Sequence, residues 1–161
     1  MNKLFFKTLL LFFLPGCSII NPITKADCFV RKVVDYDKED FYFPPPKNFR
    51  TSIIFNSSNG EVYDYDGEFH KKLIKLNGTT EKNGLIKETT SYIKNNILYI
   101  KKISYGITNR DKQDKVIMVL DLSKKTYYLN VDLLEGFSWR KQSREDGLCK
   151  LVKPETTEVL K

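Results

Sequence analysis

Short runs of alternating apolar and polar residues, separated by turn residues, fill the chain after residue 26. Successive side chains of a strand point to opposite faces, so this alternation is typical of half-buried β-strands. The run Val116 to Leu120 is apolar on both faces and indicates a central strand. No segment after residue 26 keeps a 3.6-residue apolar period over three helical turns. The pattern predicts an all-β fold, an antiparallel meander that forms a small barrel or sandwich of eight to ten strands.

Turn residues mark where the strands end. Asn59-Gly60 is a strong hairpin signal, because both residues tolerate a positive φ. Asn77-Gly78 and Asn83-Gly84 are expected to bracket a loop, and Lys94-Asn95-Asn96 is expected to join two paired strands. The first strand is predicted at Phe29 to Val34, where β-branched residues lie on both faces.

The first twenty-six residues have the organisation of an export signal. Lys3 and Lys7 form a short positive region, and Thr8 to Leu14 is an apolar run that ends at Pro15-Gly16. A bilayer span needs about twenty apolar residues, so this run is too short to serve as one. We therefore expect the chain to be exported and the leader to be removed.

Leu14-Pro15-Gly16-Cys17 resembles the lipobox of bacterial lipoproteins. In that family a branched aliphatic residue stands three positions before the cysteine and a small residue directly before it. Leu14, Gly16 and Cys17 match, whereas Pro15 departs from the usual small or β-branched residue. The resemblance implies that diacylglycerol is attached to the thiol of Cys17, that the bond before it is cut, and that lipid holds the protein at a membrane.

A second cleavage site competes with the first. Thr24-Lys25-Ala26 has the small-x-small pattern of an ordinary signal peptidase site, which would release a chain that starts at Asp27. The predicted organisation is a signal peptide at 1–16, a tether at 17–26, a β-domain at 27–153 and a flexible tail at 154–161. The first cut predicts a periplasm-facing envelope lipoprotein; the second predicts a periplasmic or secreted protein.

The remaining cysteines stand near the two ends of the predicted domain. An oxidising compartment favours a disulfide between Cys28 and Cys149, although two buried thiols remain the alternative. Such a bond would close a loop of about 120 residues, and the chain-entropy model assigns roughly 4 to 5 kcal/mol to a loop of that length.

The net charge of +7 is spread along the chain and includes Lys3 and Lys7 of the leader. Steering of an anionic partner needs clustered charge, so a solvated lysine-rich surface is the plainer interpretation. Nucleic-acid binding would require a basic stripe or a known module, and neither is found. We expect no nucleic-acid partner.

Candidate chemistry is sparse. His70 is the only histidine and stands among lysines, which disfavour a bound cation. Asp64, Asp66 and Glu68 alternate and could share one face of a strand, but the full calcium-loop pattern is missing, and a solvated turn explains them equally. The segment Gly136 to Arg140 around Ser138 lacks the second glycine of the Gly-x-Ser-x-Gly nucleophile elbow. The sequence predicts no catalytic residue, no metal and no cofactor, and hence no enzyme.

Aromatic residues offer one possible recognition surface. Phe41, Tyr42 and Phe43 precede three prolines and could form a rigid lip for a ligand or partner, or else cover an open end of the core. Trp139 precedes Arg140 and could stack on a partner, but a lone tryptophan is more commonly a core residue.

The leading functional hypothesis is an exported, lipid-anchored, non-catalytic module that binds another envelope component or takes part in an assembly. A lipocalin-like carrier of a small apolar ligand is the alternative; a roomy cavity would favour it and a filled core would argue against it. Small lipid-anchored β-barrels include periplasmic inhibitors of lysozyme, an analogy at the level of fold alone. An enzyme is the third hypothesis.

Overall fold

Alternating β-branched and aromatic residues form eleven β-strands in the computed structural model, which describes residues 22–36, 41–43, 50–66, 72–108, 113–135 and 137–160. The strands are β1 (Ile23–Asp35), β2 (Phe41–Phe43), β3 (Arg50–Asn56), β4 (Val62–Tyr65), β5 (Leu73–Lys75), β6 (Gly78–Lys82), β7 (Leu85–Lys94), β8 (Ile97–Gly106), β9 (Gln113–Asp121), β10 (Thr126–Glu135) and β11 (Ser138–Val152).

All strands belong to one antiparallel sheet with the order β5-β4-β3-β1-β11-β10-β9-β8-β7-β6. β3 pairs with the first part of β1, and the short β2 pairs with its last three residues, Val33 to Asp35. The all-β antiparallel prediction is confirmed. No ladder joins β5 to β6 in the described part of the chain, so its hydrogen bonding does not close into a barrel.

The sheet curls until β3 and β4 face β8 and β9 across the larger apolar cluster of the described residues, which we call the core. A smaller, separate cluster contains Ile23, Ile54, Tyr63 and Leu73. Residues of one parity on each strand point inward, and at one end of the sheet they are aliphatic, aromatic or cysteine. Six of the most deeply buried members are Ala26, Cys28, Phe55, Val62, Leu98 and Leu120. Contacts between distant strands thus supply the burial that a flat sheet could not.

Side-chain hydrogen bonds link the two ends of the strand order, where ladder pairing stops. Asn77 Nδ2 donates to Ser91 Oγ (2.8 Å), and Ser91 Oγ donates to the carbonyl of Gly60 (2.6 Å). The amide of Val62 donates to Asn77 Oδ1 (2.8 Å). A Cβ on Gly60 would lie only 2.5 Å from the carbonyl carbon of Tyr92. Glycine is therefore required at residue 60, where the backbone passes close to that of Tyr92. We call the contact formed by Gly60, Asn77, Ser91 and Tyr92 the seam.

The pairing of β1 with β11 shifts register between Val30 and Lys32, the signature of a β-bulge. Gly147 is paired with Val30 at this point, and an added Cβ would clash with the carbonyl oxygen of Phe29 and the ring of Tyr127. The absence of a side chain at residue 147 lets the two longest strands of the sheet bend together and lets the Tyr127 ring enter the core.

The C-terminal segment lies against β5. The amide of Leu73 donates to the carbonyl of Glu158 (2.7 Å), the amide of Leu160 donates to the carbonyl of Leu73 (2.8 Å), and Leu73 forms a parallel bridge with Val159. Lys72 forms an ion pair with Glu158 (3.0 Å). These contacts locate the segment that was predicted to be a flexible tail; its flexibility stays a prediction.

Three local expectations are corrected. The first strand begins at Ile23 rather than Phe29, because Ile23 and Ala26 are buried and pair with β3; residues 23–26 therefore belong to the sheet and not to the predicted tether. The predicted loop between Asn77-Gly78 and Asn83-Gly84 contains β6, whose residues are all exposed and so lack the apolar alternation of a strand. The ladder alone has ten strands, and β2 brings the total to eleven.

Candidate functional site

The interior of the curled sheet changes character along the strands. One end is filled by the core, whereas the other encloses a half-open cavity of about 170 Å³. Much of its wall is formed by aliphatic side chains from β3, β4, β8 and β9 and from the segment after β5, and Thr51, Ser52 and Tyr63 add polar groups. Six of these are Ile53, Val62, Leu76, Ile100, Val116 and Met118. An engineered cavity of about 150 Å³ holds benzene, so this space suits a group of about six carbon atoms.

Lys102 stands at the mouth of this cavity. It follows Leu98 and Ile100 on the inward face of β8 and is paired with Thr89 on β7 and Val116 on β9. The side chain reaches solvent, yet the concave sheet surrounds much of it. This desolvation lowers the pKa of the ammonium; Asp64 opposes the shift, and the neighbouring charge of Lys87 adds to it.

The ammonium of Lys102 has no hydrogen bond or ion pair with any described residue. Asp64 also lines the cavity, but its Oδ1 accepts a hydrogen bond from the amide of Tyr65 (2.8 Å). Other charged groups of the sheet are matched more closely, such as Lys115 with Asp132 (2.8 Å). Among the described residues, this positive charge at the rim of the cavity therefore has no direct counterion.

A second inward carboxylate lies beyond the cavity. Glu145 on β11 is half-buried and is paired with Val33 on β1 and Leu129 on β10, of which Leu129 lines the cavity. Burial raises the pKa of Glu145, because the charged form is poorly solvated there.

A wider depression lies on the outer face of the sheet, with Ile97, Val119 and Tyr128 among its residues. It is more open than the cavity, and its two carboxylates, Asp121 and Asp146, are matched by Lys124 and Arg144. Arg144 donates to Asp146 (2.9 Å) and covers the Tyr128 ring at 5.0 Å. This surface has apolar area but offers a ligand less enclosure than the interior cavity does.

The predicted disulfide is formed between Cys28 and Cys149, which face each other in the pairing of β1 with β11. Both cysteines are buried in the core. The bond links residues 121 positions apart and fastens the first strand to the last. This prediction is confirmed, and it locates the covalent link at the filled end of the sheet.

The aromatic residues singled out in the sequence have separate positions. Phe41, Tyr42 and Phe43 form β2 on one side of β1, and Trp139 lies on β11 at the same end of the sheet, on the other side of β1. The side chains of β2 fall outside the described residues. Trp139 is 39% exposed, and Lys115 Nζ lies 4.2 Å from its ring centroid, so the interpretation of Trp139 as a core residue is wrong.

Several predicted features fall outside the described residues: the lipobox-like Leu14 to Cys17, His70 and Glu68. Asp64 and Asp66 are described, and Asp64 belongs to the cavity mouth. Among the described residues no three His, Cys, Asp or Glu side chains come together in a way that could hold a metal ion. The same part of the chain has no helix with the length and hydropathy of a membrane span.

Lys102 was not predicted as a site residue. The run Leu98, Ile100, Lys102 carries a signal in retrospect, because two inward apolar positions are followed by a lysine of the same parity. That signal is weak in sequence, since lysines at strand ends are common on solvated faces.

Comparison with known proteins gives no match: no family model, curated protein or solved structure matches this chain.

Proposed function

We propose that this protein is an exported, non-catalytic binding module of the cell envelope, held at a membrane by lipid on Cys17, and that its ligand enters the half-open end of the sheet. The proposal combines the lipobox-like leader with a domain whose interior is packed at one end and hollow at the other. The anchor and the ligand site are separate parts of it and are tested separately.

The extent of β1 is the observation that carries the anchor. Residues Ile23 to Ala26 pair with β3, and Lys25 and Ala26 also pair with β11. Cleavage after Ala26 would therefore cut through a central strand and remove the buried Ile23 and Ala26 from the core. Cleavage before Cys17 keeps the strand whole and leaves residues 18–22 as a spacer between lipid and sheet.

The disulfide is consistent with a location outside the cytoplasm. Disulfides persist in oxidising compartments and are rare where glutathione and thioredoxin keep thiols reduced. The pairing of Cys28 with Cys149 gives weak support to export, and the leader supplies the stronger argument. These observations favour a domain that faces the cell envelope and whose packed end is cross-linked by the disulfide.

The cavity favours a small-ligand binder over a purely structural module. A filled core would have argued against a ligand, whereas about 170 Å³ of apolar-walled space with a cation at its mouth resembles a small binding site. The volume lies below the 300 to 1,000 Å³ of ordinary drug-sized sites, so a large lipocalin ligand is not expected. Capture of another envelope protein remains an alternative, favoured by the exposure of Trp139.

Intact-mass spectrometry of the protein from its native cell tests the anchor. We expect a chain that starts at Cys17 and carries added acyl mass. A Cys17→Ser variant should lose that mass and leave the membrane fraction, whereas Ser18→Ala should behave like the wild type. A chain that starts at Asp27 without lipid would contradict the proposal.

The ligand site can be tested through Met118, the only methionine besides Met1 and a residue of the cavity wall. Methionine labelled at the methyl carbon gives one signal from the processed chain. Titration with 1-hexanol, a neutral probe of suitable size, should move this signal in a saturable way. A Val116→Phe variant, designed to fill the cavity, should abolish the shift. A Met118 signal that no probe moves would contradict a ligand site at this end of the sheet.

A further inference from the structure

We infer that the cavity is selective for small organic anions, specifically a carboxylate that bears an apolar group of about six carbon atoms, with Lys102 binding the carboxylate. This inference rests on the proposed ligand site and adds to it the charge and size of the ligand. It does not depend on whether the chain is lipid-anchored. The argument has three steps: an unmatched cation, its surroundings and the shape of the space.

The first step is the charge of Lys102. Its ammonium has three donors and, among the described residues, no acceptor in hydrogen-bonding contact. It lies beside apolar wall residues such as Ile100 and Val116. Hydrogen bonds between ionised partners are stronger than neutral ones, and partial exclusion of water strengthens them further. A carboxylate at this position would supply the acceptor that the described residues do not provide.

The second step is the balance of nearby charge. Lys87 shares the inward parity of β7 and adds a second positive charge near Lys102. Asp64 is the acidic group of the cavity lining, and one of its oxygens is already engaged by the amide of Tyr65. Asp114 on β9, two residues before Val116, and Glu145 on β11 are inward carboxylates of neighbouring strands, and neither lines the cavity. Within the lining, Lys102 therefore faces one carboxylate that is already partly engaged, which favours an anion over a cation at the mouth.

The third step is the space behind the ammonium. The cavity of about 170 Å³ runs from the charged mouth to a wall that includes Val62, Ile100 and Met118. An apolar group that enters it leaves water and contacts aliphatic carbon, while the charged head stays at the rim beside Lys102. The arrangement fits an amphiphile with one anionic end and one short apolar end.

Three probes of equal chain length test the inference: sodium hexanoate, 1-hexanol and hexylamine, each titrated into the disulfide-bonded protein at neutral pH and followed by the Met118 methyl signal. Hexanoate should bind at least tenfold more tightly than hexanol, the factor that corresponds to about 1.4 kcal/mol. Hexylamine should bind more weakly than hexanol.

Two lysine variants locate the effect. Lys102→Met removes the charge and keeps the chain length, and it should bring hexanoate within about threefold of hexanol without weakening hexanol. Lys101→Met is the matched control, since Lys101 is the next residue of β8 and points to the opposite face; it should leave the selectivity unchanged. Lys102→Arg should preserve it. If Lys102→Met does not fold, the order of the three probes on the wild type still decides.

The outcomes separate the two proposals. Equal binding of hexanoate and hexanol, tighter binding of hexylamine, or an equal loss of selectivity in both methionine variants would overturn anion selectivity and leave the ligand site intact. A Met118 signal that none of the three probes moves would overturn the ligand site and this inference together. The mass measurement on the native protein reports on the anchor alone.

Discussion

The two ends of the sheet are built from the same strands but differ in what their inward positions hold. At the filled end β8 contributes Leu98 and Ile100, and the disulfide joins β1 to β11. One pleat beyond Ile100 the inward residue is Lys102, and the neighbouring strands enclose a cavity instead of a core. A change at a single inward position of β8 therefore marks the step from a packed interior to a cavity.

This contrast indicates that one end of the sheet stabilises the fold while the other end contains the cavity. Buried apolar area and the covalent link stabilise the fold at one end, so the other end can keep an imperfectly packed space and an unmatched cation. Either feature would be costly at the centre of the core. The following predictions measure how strongly the two ends differ, in order of decreasing effect.

Loss of the disulfide should have the largest effect. Replacing both Cys28 and Cys149 by alanine should lower the free energy of unfolding by about 4 to 5 kcal/mol, because the bond closes a loop between residues 121 positions apart. Urea unfolding of the double variant and of the wild type measures the loss. Cys17→Ser serves as the control and should unfold like the wild type. A loss under about 1 kcal/mol would show that the filled end does not depend on the link.

Shortening one leucine at each end compares the packing directly. Leu98 is fully buried in the core, and Leu98→Ala should cost about 3 to 4 kcal/mol in free energy of unfolding. Leu129 is half-buried beside the existing cavity, and Leu129→Ala should cost only about 1 to 2 kcal/mol, since fewer contacts are lost. Urea unfolding measures both. Equal losses would contradict the difference in packing between the ends.

The seam should be sensitive at Gly60. Gly60 and Gly84 have similar positive φ angles, 80° and 75°, but only Gly60 lies against the backbone of Tyr92. Gly84→Ala should cost about 1 kcal/mol for the backbone conformation alone. Gly60→Ala should cost about 2 to 3 kcal/mol, because it adds a clash with β7. Thermal unfolding of the pair measures the difference, and similar melting temperatures would argue against close contact at the seam.

Tyr127 should give the smallest effect at neutral pH. Its hydroxyl is buried and has no hydrogen-bond partner among the described residues, so Tyr127→Phe should change the free energy of unfolding by less than about 1 kcal/mol. Burial, with smaller contributions from the negative charges of Glu145 and Asp146, raises the pKa of the folded-state phenol to about 12 from an ordinary 10.0.

The sign of the alkaline effect follows from that shift. The unfolded phenol ionises near pH 10, whereas the folded phenol keeps its proton until about pH 12. The stabilisation from the bound proton is therefore complete below pH 10 and is lost as the pH rises from 10 to 12. Urea unfolding at pH 9 and pH 11 should show a steeper decline for the wild type than for Tyr127→Phe. Parallel declines would contradict a buried phenol.

Much of the local structure could be predicted because it depends on neighbours in sequence. Asn95 and Asn96 have a positive φ and form the tight connection between β7 and β8 that was predicted there, as such residues favour. The disulfide could be predicted because Cys28 and Cys149 are the only cysteines after Cys17. The exposed β6 could not, because it is held by pairing with β7 and not by apolar alternation.

The candidate site was largely beyond prediction. Asp64 was singled out as a possible ligand of a metal, and the structure brings it instead to the mouth of a cavity with Lys102. Trp139 was left as either a core residue or part of a partner surface, and its position near the start of β11 leaves it beneath Lys115 and partly open to solvent. Both outcomes depend on which strands lie opposite each other after the sheet curls.

By itself the sequence determined that the chain is an antiparallel β-protein, where several hairpins turn, and which cysteines pair, because alternation, positive-φ residues and cysteine number act locally or by elimination. Tertiary structure alone decided that β1 begins at Ile23, that one end of the sheet is filled, and that Lys102 faces a cavity. The physical reason is that burial of an inward side chain depends on the opposite wall, which strands distant in sequence provide.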